Sequence, residues 1–150
     1  MNKIKRKTPC HCINLRRVNA VVTDYYDRIL KPLGLTVSQY SLLVNLSRVE
    51  PAGISRLAGQ VGLERTTLTR SLKPLFSAGL IEDLARPGRR ERQLGLSASG
   101  RGVVERGQVL WQGAQKGIER HLGVERLNDF LEILSELETI AAPEVPASGT

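Results

Sequence analysis

Ile54-Ser-Arg-Leu-Ala-Gly-Gln-Val-Gly-Leu-Glu-Arg-Thr-Thr-Leu-Thr-Arg-Ser-Leu-Lys-Pro-Leu-Phe-Ser-Ala-Gly79 decides the fold. Apolar Ile54, Leu57, Ala58 and Val61 recur at helical spacing, and so do Leu68, Leu72, Leu75 and Phe76. Each set predicts a helix with one inward stripe. Gly62 stands between them, where a left-handed backbone costs glycine little, and Gly79 stops the second helix. Two short helices joined by a tight glycine turn are the helix-turn-helix pattern. In such a unit the second helix enters the major groove and its N-terminal side chains meet base edges. Here those side chains are Arg65, Thr66, Thr67, Thr69, Arg70 and Lys73, with Glu64 at the start. Arginine can grip guanine with a two-pronged fork, and threonine can hydrogen-bond a base or touch a thymine methyl. Pro74 removes one hydrogen bond from this helix and is expected to bend its C-terminal half.

On the C-terminal side, Leu80 to Leu84 and Arg92 to Leu96 read as two short strands, with Leu94 and Leu96 alternating with polar neighbours. The loop between them, Ala85-Arg-Pro-Gly-Arg-Arg-Glu91, carries a Pro-Gly turn and, with Arg92, four arginines: Arg86, Arg89, Arg90 and Arg92. A basic hairpin directly after the second helix is a wing, and arginine on a narrow loop suits the negative minor groove. On the N-terminal side, Thr36-Val-Ser-Gln39 fits a capping box before a helix that buries Tyr40, Leu43 and Leu46. Further out, Ile13 to Lys31 carries one apolar stripe ended by Pro32 and Gly34. After Ser97, two more stripes run through Val103 to Ile118 and Leu127 to Leu137. The expected class is mainly α with a small β-hairpin, an α+β winged helix-turn-helix at about 36–100. Helices at about 13–32 and 101–141 flank it within a single domain of 10–141, between a basic disordered arm at 1–9 and a disordered tail at 142–150.

The chain of 150 residues has a formal charge of +7, with 41% hydrophobic and 25% charged residues, a globular mix with a positive balance. That balance suits a polyanion, since bound cations release counterions from phosphates. The charge is segregated: Glu64 to Arg92 holds seven basic residues and four acids, while Glu119 to Glu138 holds two and six. No apolar run approaches the roughly 18 residues of a membrane span, and no apolar segment follows the basic start as in a secretory signal. A cytoplasmic protein without membrane association is expected. A Ser-His-Asp set and a phosphate-binding glycine loop are both missing and there are only two histidines, so an enzyme is not expected, nor a cofactor. His121 reads as a surface residue near a helix end.

These segments, in their order, resemble the multiple-antibiotic-resistance regulator (MarR) family. The resemblance is carried by Leu33-Gly-Leu-Thr-Val-Ser-Gln-Tyr40, Ile54-Ser-Arg-Leu-Ala58, Leu63-Glu-Arg-Thr-Thr-Leu-Thr-Arg70, Leu75-Phe-Ser-Ala-Gly-Leu-Ile81 and Arg89-Arg-Glu-Arg-Gln-Leu-Gly-Leu-Ser-Ala-Ser-Gly100. It implies a homodimer that reads a palindrome in double-stranded DNA, usually as a repressor, with the terminal helices as the dimer interface. Apolar stripes too long for the small winged core to cover fit that expectation. One departure stands out. The family usually has an aspartate before the paired wing arginines, where this chain has Gly88. The resemblance implies that the aspartate braces an arginine, so a looser wing is expected here. A winged helix that docks a protein partner is the alternative.

Cys10-His11-Cys12 is the candidate sensor. A disulfide between cysteines so close would be strained and close almost no loop, so free thiols are expected. Three readings stay open. In one branch of the family a cysteine near the start of the first helix senses organic hydroperoxides. Cys12 falls there, and the two tyrosines that hold it in that branch fall at Arg16 and Tyr26, of which only Tyr26 matches. Arg16, one turn on, could favour the reactive thiolate. Alternatively, two thiols and an imidazole suit zinc or copper(I), with a partner chain completing the site. Finally, the cysteines are incidental and a small aromatic or phenolic effector binds between the dimer helices and the winged domain.

Overall fold

A computed structural model describes residues 8–140; Met1 to Lys7 of the expected basic arm and the expected tail at 142–150 lie outside the described residues. Its elements are α1 (His11–Leu30), a 3-10 turn at Lys31–Leu33, α2 (Val37–Val49), α3 (Ile54–Val61), α4 (Arg65–Ser77), β1 (Ile81–Asp83), β2 (Leu94–Leu96), α5 (Ala98–Leu122) and α6 (Val124–Glu138). The chain divides into two compact units, one up to Ala114 and one from Gln115.

In the first unit, local chemistry starts α2 and stops α3 where the sequence indicates. Thr36 and Gln39 form a full capping box: the Gln39 amide donates to Thr36 Oγ1 (3.2 Å) and the Thr36 amide to Gln39 Oε1 (3.0 Å). Asp27, on α1, accepts from the Val37 amide at 2.7 Å, so the N-terminus of α2 is satisfied from two sides. Gly62 ends α3 with φ +68°, which makes the helix-turn-helix turn. Leu43, Leu46, Leu57, Leu68, Leu72, Leu75 and Leu94 close the core under α2, α3, α4 and the hairpin.

Four sequence expectations shift. α1 starts at His11 instead of Ile13, which makes Cys10 its N-cap and puts Cys12 inside the helix. α4 runs through Pro74 to Ser77 as one helix, losing only the bond that the proline cannot donate. The strands are three residues each, pairing Ile81 with Leu96, Glu82 with Gly95 and Asp83 with Leu94. Beyond them one cross-strand bond continues, from the Leu84 amide to the Gln93 carbonyl at 2.6 Å, while the Gln93 amide turns to the Asp83 carboxylate, which also accepts from Ala85. The fourth concerns Glu50, which the sequence suggests only as part of a helix break. Its side chain, 13% exposed, accepts from the Leu96 amide at 2.7 Å and from Arg101 at 2.6 Å, tying the end of α2 to β2 and to the first turn of α5.

In the second unit, Gly123 separates the end of α5 from α6. Along α6, Leu127, Phe130, Leu131, Leu134 and Leu137 recur at helical spacing, and Phe130, Leu131 and Leu137 are exposed. Among the described residues no helix is long and apolar enough to cross a membrane.

Candidate nucleic-acid interface

Burying Leu68, Leu72 and Leu75 fixes which way α4 faces. Residues three and four apart share a helix face, so Thr66, Thr69, Arg70 and Lys73 stand together away from these leucines, with Arg65 exposed beside them in the first turn. The five line one open surface concavity. Thr67 is exposed beside them. Their hydrogen bonds narrow what each can do. Thr69 Oγ1 donates to the Arg65 carbonyl at 2.8 Å, which spends its proton inside the helix. Toward a base, Thr69 can therefore accept a bond or present its methyl group, and it cannot donate. Arg65, Arg70 and Lys73 supply the positive charge of the face.

The wing tip is a tight turn. Arg89 donates its amide to the Arg86 carbonyl (3.2 Å), Pro87 takes the second position, and Gly88 takes the third with φ +89°. That is a type II turn, whose third position favours glycine. An aspartate there would be strained, which gives Gly88 a physical reason in this chain. Arg86, Arg89 and Arg90 are exposed on the turn.

Arg92 lies elsewhere. Its guanidinium sits 5.4 Å from the centre of the Phe76 ring, and its Nε lies 4.0 Å from Asp83 Oδ2. Asp83 Oδ1 accepts from the Ala85 amide (2.9 Å) and the Gln93 amide (3.0 Å), one from each side of the stem. The bonds from Ala85, then from Gln93, hold the Asp83 carboxyl below its ordinary range despite some desolvation, and the charge of Arg92 adds to them. A carboxyl lowered in the folded protein stabilises the fold above its unfolded pKa and loses that contribution as pH falls through its folded pKa. The Ala85 and Gln93 amide resonances should therefore hold steady at neutral pH and move only below the ordinary aspartate range. A midpoint at or above that range would remove the clasp.

At the other candidate site, Cys10, His11, Cys12 and Arg16 are all exposed, and both thiols are free. Among the described residues no three His, Cys, Asp or Glu side chains gather into a metal-binding group, so Cys10, His11 and Cys12 make no metal site within one chain. Nor does the expected sensing set gather. Cys12 and Tyr26 lie on the same continuous helix, which at 1.5 Å per residue separates them by about 21 Å. Tyr26 instead meets Tyr25 edge to face, with ring centres 5.7 Å apart, and burial and then Tyr25 push its phenol above the ordinary value.

A basic helix-turn-helix followed by a basic hairpin defines a winged helix-turn-helix protein. The MarR family profile matches residues 35–90, from the start of α2 to the wing arginines. The transcriptional regulator MosR of M. tuberculosis, solved in complex with DNA, is 33% identical over 86% of this chain and 96% of its own, with a TM-score of 0.71. A MarR-family protein of M. tuberculosis solved with p-aminosalicylic acid is 25% identical over 87% of this chain and 99% of its own (TM-score 0.63). A mutant of E. coli MarR complexed with operator DNA shares the fold at 22% identity, covering 82% of this chain and 89% of its own (TM-score 0.74). The chain belongs to the MarR family of transcriptional regulators.

Proposed function

We propose that the protein is a homodimeric repressor that binds a palindromic operator in double-stranded DNA and lets go when a thiol near the start of α1 is oxidised. The observation that carries DNA reading is the outward face of α4, where Arg65, Thr66, Thr69, Arg70 and Lys73 line one concavity. Arg86, Arg89 and Arg90 reach from the wing toward an adjacent minor groove, a division of labour that winged and armed helix-turn-helix proteins use. MosR, the relative at 33% identity, was solved on DNA.

Dimerisation follows from uncovered apolar surface. α1 exposes Ile13, Leu15, Val18 and Val21, and α6 exposes Phe130, Leu131, Ile133 and Leu137. Rows of this length mark interfaces more often than plain surface. The sensing reading also needs two chains. Tyr26 is about 21 Å along α1 from Cys12, so it can approach Cys12 only from a second copy. The exposure of both thiols is the observation that favours oxidation over a ligand as the signal.

Two measurements test the reading. Selection of duplexes from a random pool should return an inverted repeat, bound by a species of twice the 16.5 kDa chain mass. No duplex binding at low salt would favour the protein-docking alternative. Operator affinity should fall after peroxide treatment and return with dithiothreitol, and Cys12→Ser should abolish that response. Unchanged affinity throughout would remove the thiol switch and leave a small-molecule effector as the signal, and a Cys12→Ser variant that still responds would move the switch to Cys10.

A further inference from the structure

We propose that Asp83 and Arg92 are positioning residues that fasten the wing to the last turn of α4, and that Arg92 is not itself a contact to DNA. This rests on the DNA-reading role proposed above. Strand alternation supplies the first reason. Leu94 and Leu96 face the core, at 0% and 3% exposure. Arg92, two residues before Leu94, continues the same face of the strand. Its stem is thereby carried toward α4, and its guanidinium comes to rest over the ring of Phe76, a residue of the last turn of α4. Asp83 supplies the second. It holds the amides of Ala85 and Gln93 and stands beside Arg92, so a single carboxylate joins the outgoing stem, the returning stem and the cation that reaches α4. Behind the stem, Leu94 exchanges both backbone bonds with Ala52 (2.8 and 3.0 Å) and anchors the base of the hairpin to the segment before α3. The wing thus takes its bracing from Asp83, at its base.

Salt dependence of operator binding separates this from a phosphate contact. Each phosphate contact adds about 0.9 to the slope of log affinity against log salt, so a dimer that loses two loses about two units. As positioning residues, Arg92→Ala and Asp83→Ala should each weaken operator binding about five- to thirtyfold, as expected for loss of an exposed cation–π contact in each of two wings. The slope should not change, the melting temperature should fall by only a few degrees, and the double variant should bind no more weakly than the worse single one. In a background of Arg86→Ala, Arg89→Ala and Arg90→Ala, adding Arg92→Ala should cost nothing further, because there is no wing arginine left to aim. Hydrogen exchange in the free protein should speed up at Ala85 and Gln93 in both single variants. A slope lowered by about two in Arg92→Ala, with Asp83→Ala at wild-type affinity, would overturn the proposal and make Arg92 a phosphate contact. Unchanged exchange in both variants would also overturn it. The exchange arm needs no DNA, so it decides the bracing even if the operator reading fails.

Discussion

Replacing Arg65 and Arg70 together with alanine is expected to erase sequence-specific operator binding while leaving the fold intact. Both side chains are exposed and stand on the outward face of α4, so neither truncation opens a core cavity. A well-placed arginine fork on a base discriminates by about 1–3 kcal/mol. A dimer presents each arginine twice, so the double variant removes four guanidiniums and a total on the order of 4–12 kcal/mol. The gap between specific and non-specific binding is itself about 4–10 kcal/mol. The loss is therefore large enough to leave only the weak, salt-sensitive attraction of the remaining basic groups. A gel shift with the selected operator and a scrambled duplex should show equal, weak binding to both. The unfolding curve should match the wild type, which separates lost reading from lost structure. Preference for the operator that survives the double substitution would mean that α4 does not read it.

How far the sequence carried this reading depends on the range of each interaction. The capping box at Thr36 and Gln39 and the turn glycine at Gly62 act within one helical turn, and both are found where the pattern puts them. The outward face of α4 is equally local, because the inward leucines leave the polar residues one direction to point. The wing is different. Counting arginines groups Arg92 with Arg86, Arg89 and Arg90, but strand alternation sends it to Phe76, sixteen positions back. The Asp83 clasp spans ten positions and depends on where the ladder stops, which neither strand reveals alone. Glu50 reaches forward to Leu96 and Arg101 across the whole reading unit, and its only sequence signal is a charge beside a helix break. The candidate sensing set does not come together within one chain. Cys12 and Tyr26 sit at positions suggested by likeness, whereas one rigid helix sets their distance.

Gly100→Ala is expected to be the most damaging single methyl in the first unit. A Cβ built on Gly100 would collide with the Leu80 carbonyl oxygen and lie 3.1 Å from its carbon. The neighbour is backbone, and it is held on both sides. The Leu80 amide donates to the Leu75 carbonyl at 3.0 Å, and its own oxygen accepts from the Ser97 amide at 3.1 Å. Ser97 in turn accepts from the Gly100 amide (3.0 Å) and donates to the Gly79 carbonyl (2.6 Å). Relief must therefore move the first turn of α5 away from the end of α4, breaking at least one of these bonds. Overpacking of this kind costs about 1–3 kcal/mol and at times more, against which alanine returns only about 0.5–1 kcal/mol of helix propensity. A net loss of about 1–2 kcal/mol lowers the melting temperature of a chain this size by roughly 2–8 °C. Gly59→Ala is the control with the opposite sign. Gly59 is in α3 and nothing lies within 4 Å of its built Cβ, so the same methyl should stabilise by about 0.5–1 kcal/mol. Both variants must be melted at one protein concentration, since the proposed dimerisation would make the midpoint concentration-dependent. If Gly100→Ala melts no lower than the wild type, the first turn of α5 does not pack on Leu80, and the tie from the reading helix through Ser97 into α5 is lost with it.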